Sequence, residues 1–273
     1  MDLVFSRLDN TIGRYTLTGV SPSFINAIRR AMCSEVPKLA IEDIKIYDNT
    51  SALFDEMLAH RIGLIPLTTN SDLYVSADRC TCEGAGCDRC STMYTLSVEG
   101  PGMVYSRDLI PSDPEAVPVD EKIPIVKLEK GQKVVIEARA EMNTGKVHAK
   151  WQPTINCGYK NYPVITVETH CDACGTCVDQ CPRQVLVLKG GVLAVEEGKL
   201  ESCSLCKLCE KACLSTGIGD EPGIRITDDP SRLIGVVESD GSLSVRTIIR
   251  QSLLYLKNES NELAEKLQEI SEG

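Results

Sequence analysis

Residues 171–182 read CDACGTCVDQCP, and residues 203–213 read CSLCKLCEKAC. Both carry the spacing C-x2-C-x2-C-x3-C. Three closely spaced thiolates can wrap one iron–sulfur cluster, while the fourth points away and completes its neighbour. Paired that way, Cys171, Cys174, Cys177 and Cys213 form one site, and Cys203, Cys206, Cys209 and Cys181 the other. The cofactors expected are two [4Fe–4S] clusters, with [3Fe–4S] as the alternative in one of the sites. The second run ends Cys213-Leu214, without the proline that follows Cys181. A pair of zinc sites is the competing reading. It is disfavoured because structural zinc uses two short knuckles per ion, not a triple knuckle plus a distant fourth ligand.

The flanks extend the pattern. Val185–Leu188 and Val192–Val195 are short β-type runs around Gly190-Gly191, a hairpin turn pair. Val164–Val167 precedes the first run and Ile224–Thr227 follows the second, both strand-like, so each cysteine run sits on a loop leading into a short helical turn. Residues 162–227 thus resemble the bacterial-type ferredoxin fold.

Twelve of the chain's 14 cysteines fall in sets of four. The remaining set is Cys80, Cys82, Cys87 and Cys90, two knuckles joined through Glu83-Gly84-Ala85-Gly86. Four thiolates on one tight loop suit tetrahedral zinc, which closes the site and has no redox role. A zinc ribbon touching nucleic acid is the functional alternative. A structural staple is favoured, because the flanking Arg79 and Arg89 are offset by Glu83 and Asp88. Cys33 and Cys157 stand alone and are read as small buried apolar residues. No signal peptide precedes them, so the cysteines read as metal ligands in a reducing compartment.

The composition narrows the function classes. The chain has 273 residues, a formal net charge of −10 and 4% aromatics. That balance disfavours a strongly basic nucleic-acid binder and an aromatic base-stacking platform. No apolar run is long enough for a membrane helix.

Ser21-Pro22-Ser23 is a helix start, and Phe24, Ile25, Ala27, Ile28, Ala31 and Met32 follow at helical spacing. Val245–Ile270 lacks Gly and Pro. Its Ile249, Leu253, Leu256, Ser260, Leu263, Leu267 and Ile270 recur in steps of four and three, a heptad seam. The first helix covers only part of that seam, so a second chain is expected. Residues 49–67 predict a polar turn, a helix over 51–61, a Gly63 stop and an extended exit. His60 is read as a packing or capping residue rather than a catalytic base. Asp55 and Glu56 are adjacent and face different ways, so they make no acid/base pair. Lys133–Ala140 alternates as a half-buried strand, and the four prolines of 111–124 suggest an exposed loop.

Asn26-Ala27-Ile28-Arg29-Arg30, Ser34-Glu35-Val36-Pro37, Ala40-Ile41-Glu42 and DEMLAHRIGLIPL over 55–67 resemble the D-type subunit family of archaeal DNA-directed RNA polymerase. That family is related to the eukaryotic third-largest subunit and the bacterial alpha subunit. The likeness is densest over residues 1–70. In this family the eukaryotic relative carries a zinc loop near position 80, and some archaeal members carry a ferredoxin-like iron–sulfur insertion. The resemblance implies an α+β fold with an alpha-subunit-like, discontinuous dimerisation domain (1–45 and 228–273). Into it are inserted an α+β domain (46–161, with the cysteine loop 80–90) and the ferredoxin-like two-cluster domain (162–227).

It further implies a cytoplasmic protein that pairs with subunit L. The pair would form a platform for the large polymerase subunits and the small assembly subunits, without sequence-specific nucleic-acid contact. Neither a Walker A loop nor a metal-binding Asp triad is present. The chain is therefore expected to belong to a nucleotidyltransferase complex while holding no catalytic residue of its own. The competing class is a ferredoxin-type electron-transfer subunit of an oxidoreductase, although no GxGxxG fingerprint accompanies the cysteines.

Overall fold

The alternating segment at 133–140 sets one core. In the computed structural model it lies in a strand, Lys133–Asn143, whose Val134, Ile136, Ala138, Ala140 and Met142 are buried in step. The structure describes residues 1–76, 80–82, 86–216 and 221–272. Twelve strands are assigned among them: β1 Asp2–Leu8, β2 Ile12–Thr18, β3 Lys38–Asn49, β4 Ser91–Glu99, β5 Gly102–Tyr105, β6 Ile110–Pro111, β7 Pro124–Leu128, β8 Lys133–Asn143, β9 Thr154–Val167, β10 Leu186–Lys189, β11 Val192–Val195 and β12 Ile224–Ser239. The helices are α1 Pro22–Ser34, α2 Asp55–Gly63, α3 Thr176–Asp179, α4 Leu208–Ser215 and α5 Val245–Glu272. The strands form four sheets, in the orders β1-β2-β12-β9, β3-β8-β4-β6, β5-β7 and β10-β11.

The chain divides into two compact units. One comprises Met1–Val4, Tyr15–Ile25 and Tyr159–Gly235. The other comprises Phe5–Arg14, Asn26–Gly158 and Val236–Gly273. In the second, β8 pairs antiparallel with both β3 and β4, placing Ala138 opposite Ile44 on one side and Tyr94 on the other. One face of this sheet is apolar because side chains alternate with period two. Leu58 and Ile62 of α2 join the same core. Register shifts between Ile41 and Asp43 and between Ile46 and Asp48 mark bulges in β3.

The helix expected over 51–61 begins four residues later, at Asp55. Asn49 explains the delay. Its Oδ1 accepts from the Ser51 N–H at 3.1 Å and from Ser51 Oγ at 2.6 Å, while its Nδ2 donates to Leu53 O at 2.9 Å. That Asx-type turn competes with the helix for the same backbone. His60 is exposed on the last turn, beside Glu42 and Lys150 in an open cleft.

The two terminal helices follow the sequence reading closely. Ser21 Oγ accepts from the Phe24 N–H at 3.3 Å and caps α1. In α5, Val245, Ile248 and Ser252 are buried, whereas every residue from Lys257 to Ser271 is exposed, including Leu263, Leu267 and Ile270. None of the described helices is long and apolar enough to cross a membrane.

In the first unit, Gly190 and Gly191 take φ of 61° and 80°, and the β10–β11 hairpin closes around them with Lys189 opposite Val192. Two successive positive φ values are what a type I′ turn needs, and glycine reaches them without Cβ strain.

Candidate metal centres

The cysteine runs share a backbone. In the first, Ala173 and Gly175 adopt φ of 56° and 84°; at the equivalent places of the second, Leu205 and Lys207 both adopt 58°. Each run then enters a short helix, α3 or α4. Three of those four residues are not glycine, and a left-handed conformation costs such residues roughly 1–2 kcal/mol each. Left-handed residues within right-handed backbone turn successive N–H groups inward, making an anion-binding concavity found at many iron–sulfur sites. Relieving one of these positions should therefore be favourable. Lys207→Gly is expected to keep the metal content and raise the stability of this unit by about 1 kcal/mol. Denaturant melts followed by circular dichroism check this.

Seven of the eight thiols gather in two groups. Burial pushes Cys177 up to about 11, and the nearby sulfurs of Cys213, Cys171 and Cys174 add to the effect. Burial likewise raises Cys209 to about 11, against hydrogen bonds from the backbone N–H groups of Glu210 and Cys209, with Cys203 and Cys181 contributing in the same upward direction. A small cavity bounded by Cys171, Cys174, Cys177, Cys213 and Ile224 marks the first group. Each distant cysteine receives a backbone donor: Gly223 N–H to Cys213 Sγ at 3.1 Å, and Val185 N–H to Cys181 Sγ at 3.4 Å. Cys206 is exposed.

Around these thiols the apolar core is thin. Cys177, Leu186, Leu193, Cys209, Ile224 and Ile226 form its buried set, so two of the six members are themselves ligand candidates. Lys160, on β9, holds the second run from outside by donating to Glu201 O at 2.5 Å and Cys203 O at 2.7 Å. Sequence reading did not find it, because a lone lysine in a strand carries no spacing signal.

The loop containing Cys80, Cys82, Cys87 and Cys90 differs in scale. All four sulfurs lie within 4.8 Å of one another, with Cys80–Cys87 at 3.6 Å, Cys82–Cys90 at 3.5 Å and Cys87–Cys90 at 3.9 Å. The second knuckle is a tight turn in which the N–H groups of Cys90 and Ser91 both donate to Cys87 O at 2.9 Å. Burial, opposed by the Cys87 N–H, pushes the Cys90 thiol up to about 12. Without a cation the four thiols stay protonated or repel; with one they become a closed tetrahedral donor set. Arg79, Glu83, Gly84 and Ala85, invoked above for the link and its charge balance, lie outside the described residues. Arg139, paired with Asp43 through Nε at 2.9 Å, also feels the Cys90 sulfur.

Cys33 and Cys157 correct the sequence reading. Both are half-buried rather than sealed in the core, and they contact each other. The pairing depends on which face of α1 meets β9, which the spacing of two isolated cysteines cannot reveal.

Comparisons with known proteins bear on the whole chain. Residues 44–159 match the family model described as the RNA polymerase Rpb3/RpoA insert domain. The DNA-directed RNA polymerase subunit Rpo3 of Methanosarcina acetivorans is 42% identical over 271 residues, covering 99% of each chain. The protein of the same name from Archaeoglobus fulgidus is 35% identical over 257 residues, 94% of each chain. That from Picrophilus torridus is 34% identical over 275 residues, 96% of this chain and 97% of its own. A mixed α/β chain with an insert domain of this kind is an alpha-type polymerase subunit. Within that class the chain belongs to the archaeal Rpo3 family, the D-type branch.

Proposed function

We propose that the chain is a non-catalytic assembly platform of an archaeal, cytoplasmic DNA-directed RNA polymerase, pairing with subunit L and then receiving the large subunits and small assembly subunits. The observation that carries this reading is the C-terminal half of α5. Its heptad seam projects Leu263, Leu267 and Ile270 at 60%, 58% and 77% exposure. Apolar side chains in a/d register are stable in water only when a facing helix buries them. A cleft between α1 and α5, lined by Ala27, Ala31, Glu35, Tyr255 and Leu256, lies next to that seam along the helix and adds to the same surface.

In this reading residues 1–45 and 228–273 are the dimerisation domain, 46–161 the inserted α+β domain, and 162–227 a ferredoxin-like insertion. Two [4Fe–4S] clusters sit on Cys171, Cys174, Cys177 and Cys213 and on Cys203, Cys206, Cys209 and Cys181. The repeated left-handed backbone, the grouping of the thiols and the N–H donors to Cys181 and Cys213 support those sites. The clusters supply the folding energy that the thin core lacks, and their loss on oxidation loosens this insertion while leaving the pairing with subunit L intact.

Zinc is the proposed occupant of the 80–90 loop. A tetrahedral zinc with Zn–S bonds of about 2.3 Å needs sulfurs about 3.8 Å apart; three of the six pairs here lie at 3.5 to 3.9 Å, and all lie within 4.8 Å. The electron-carrier alternative is not favoured, since full-length relatives carry polymerase subunit names.

Leu263→Glu combined with Leu267→Glu tests the platform. Each substitution places a charge where an apolar contact of roughly 2 kcal/mol belongs. Capture of subunit L, and with it the large subunits, is expected to fall more than 100-fold while the isolated chain folds normally. Undiminished co-purification of the polymerase with the double variant would exclude the helix as the pairing surface.

A further inference from the structure

Cys33 and Cys157 belong to none of the metal sets, and the fold brings them together. Cys33 lies on the last turn of α1 and Cys157 on β9. Cys157 Sγ is 3.9 Å from Arg29 O, one helical turn before Cys33. Thr154, on the strand side, donates through Oγ1 to Cys33 Sγ at 3.4 Å. Positions 29 and 33 of the helix therefore face positions 157 and 154 of the strand, which sets the two thiols side by side.

Their chemistry is unequal. A hydrogen bond from Cys157 lowers the Cys33 thiol to about 6, against burial, with Thr154 and the Arg29 guanidinium helping. The Cys157 thiol is driven upward by that same contact and by burial. Cys33 is thus the more readily ionised thiol of the two and Cys157 the one held protonated. A dithiol site needs that division between an attacking and a resolving sulfur.

We propose that Cys33 and Cys157 form a reversible dithiol–disulfide site that reacts with low-molecular-weight disulfides of the glutathione type. The Cys33 thiolate attacks one sulfur of the small disulfide, the S–S bond breaks, and one small thiolate leaves. The Cys157 thiol then gives its proton to that thiolate and attacks Cys33 Sγ, expelling the second small thiolate, which takes up the proton released when Cys33 ionised. Two protein thiols and one small disulfide become one protein disulfide and two small thiols. The product ties α1 to β9.

The two cysteines fall on separate tryptic peptides, residues 31–38 and 151–160, neither of which contains any other cysteine. The full chain, purified anaerobically with its metals, is treated with oxidised glutathione, alkylated, digested and weighed. The linked pair of these peptides is the expected main product involving either cysteine. Cys157→Ser should leave glutathione trapped on Cys33. In the untreated wild-type chain, iodoacetamide at neutral pH should label Cys33 at least tenfold faster than Cys157, which needs no variant. Both peptides emerging unlinked and alkylated, either cysteine linked to a metal-set cysteine instead, or equal labelling rates would each overturn the proposal.

Discussion

Replacing Cys177 and Cys213 together by serine should leave the protein with roughly half its iron, whereas replacing Cys177 and Cys181 together should remove nearly all of it. The two pairs differ only in which distant cysteine completes which site. If Cys213 reaches back to Cys171, Cys174 and Cys177, the first double variant damages one cluster twice and spares the other. The second double variant strikes one ligand of each cluster. A sequential arrangement, with each run closing on itself, reverses the two results. The expected contrast follows from the grouping of Cys213 with Cys177 and of Cys181 with Cys209. Iron, sulfide and zinc analysis of anaerobically purified protein reads the outcome directly, and zinc should stay constant at one per chain because the 80–90 loop is untouched.

The structural consequence should be as large as the loss of metal. With two of its six buried core members being cysteines, the cysteine-bearing segment has little apolar surface to offset its chain entropy. Losing both clusters should convert the segment from 162 to 227 from protected to freely exchanging in hydrogen-exchange measurements, while β3, β4 and β8 keep their protection. Uniform protection in the iron-free variant would refute the stapling role of the clusters.

The second large effect is expected at Lys38. Its ammonium is paired with Asp240, and the two side chains are only 3% and 12% exposed. Asp240 Oδ1 also accepts the Ser242 N–H at 2.9 Å, closing the turn that leads into α5. Lys38→Met removes one charge and leaves the other buried and unpaired, which costs about 3–5 kcal/mol. Asp240→Asn, which keeps the turn, strands the ammonium instead. Combining the two should recover a large part of the loss, since neither charge then remains. Trp151, the single tryptophan, is buried in the same unit, with Nε1 donating to Glu141 O at 3.1 Å. Its fluorescence in urea titrations should show the Lys38→Met midpoint lowered by roughly 1 M or more. A midpoint within a few tenths molar of wild type would show that water already reaches the pair.

Much of this molecule was legible in one dimension because the signals are local. Period two at 133–140 produced β8, the capped apolar stripe after Ser21 produced α1, and the glycine-free heptads produced α5. The strings at 26–42 and 55–67 sufficed for the polymerase family, which full-length relatives bear out. The helix expected over 51–61 shows where local reading falters: Asn49, two residues before that expected start, took the hydrogen bonds that would have begun it earlier.

The sequence by itself determined the two terminal helices, β8, the β10–β11 hairpin and the family, because periodicity and turn chemistry are written along the chain. Only the tertiary structure decided that Cys33 meets Cys157, that Lys38 meets Asp240 across 202 positions, and that Lys160 holds the Cys203 loop. Those contacts depend on which faces of helices and strands come together. That choice is made by the packing of the whole core, and no short window of residues encodes it.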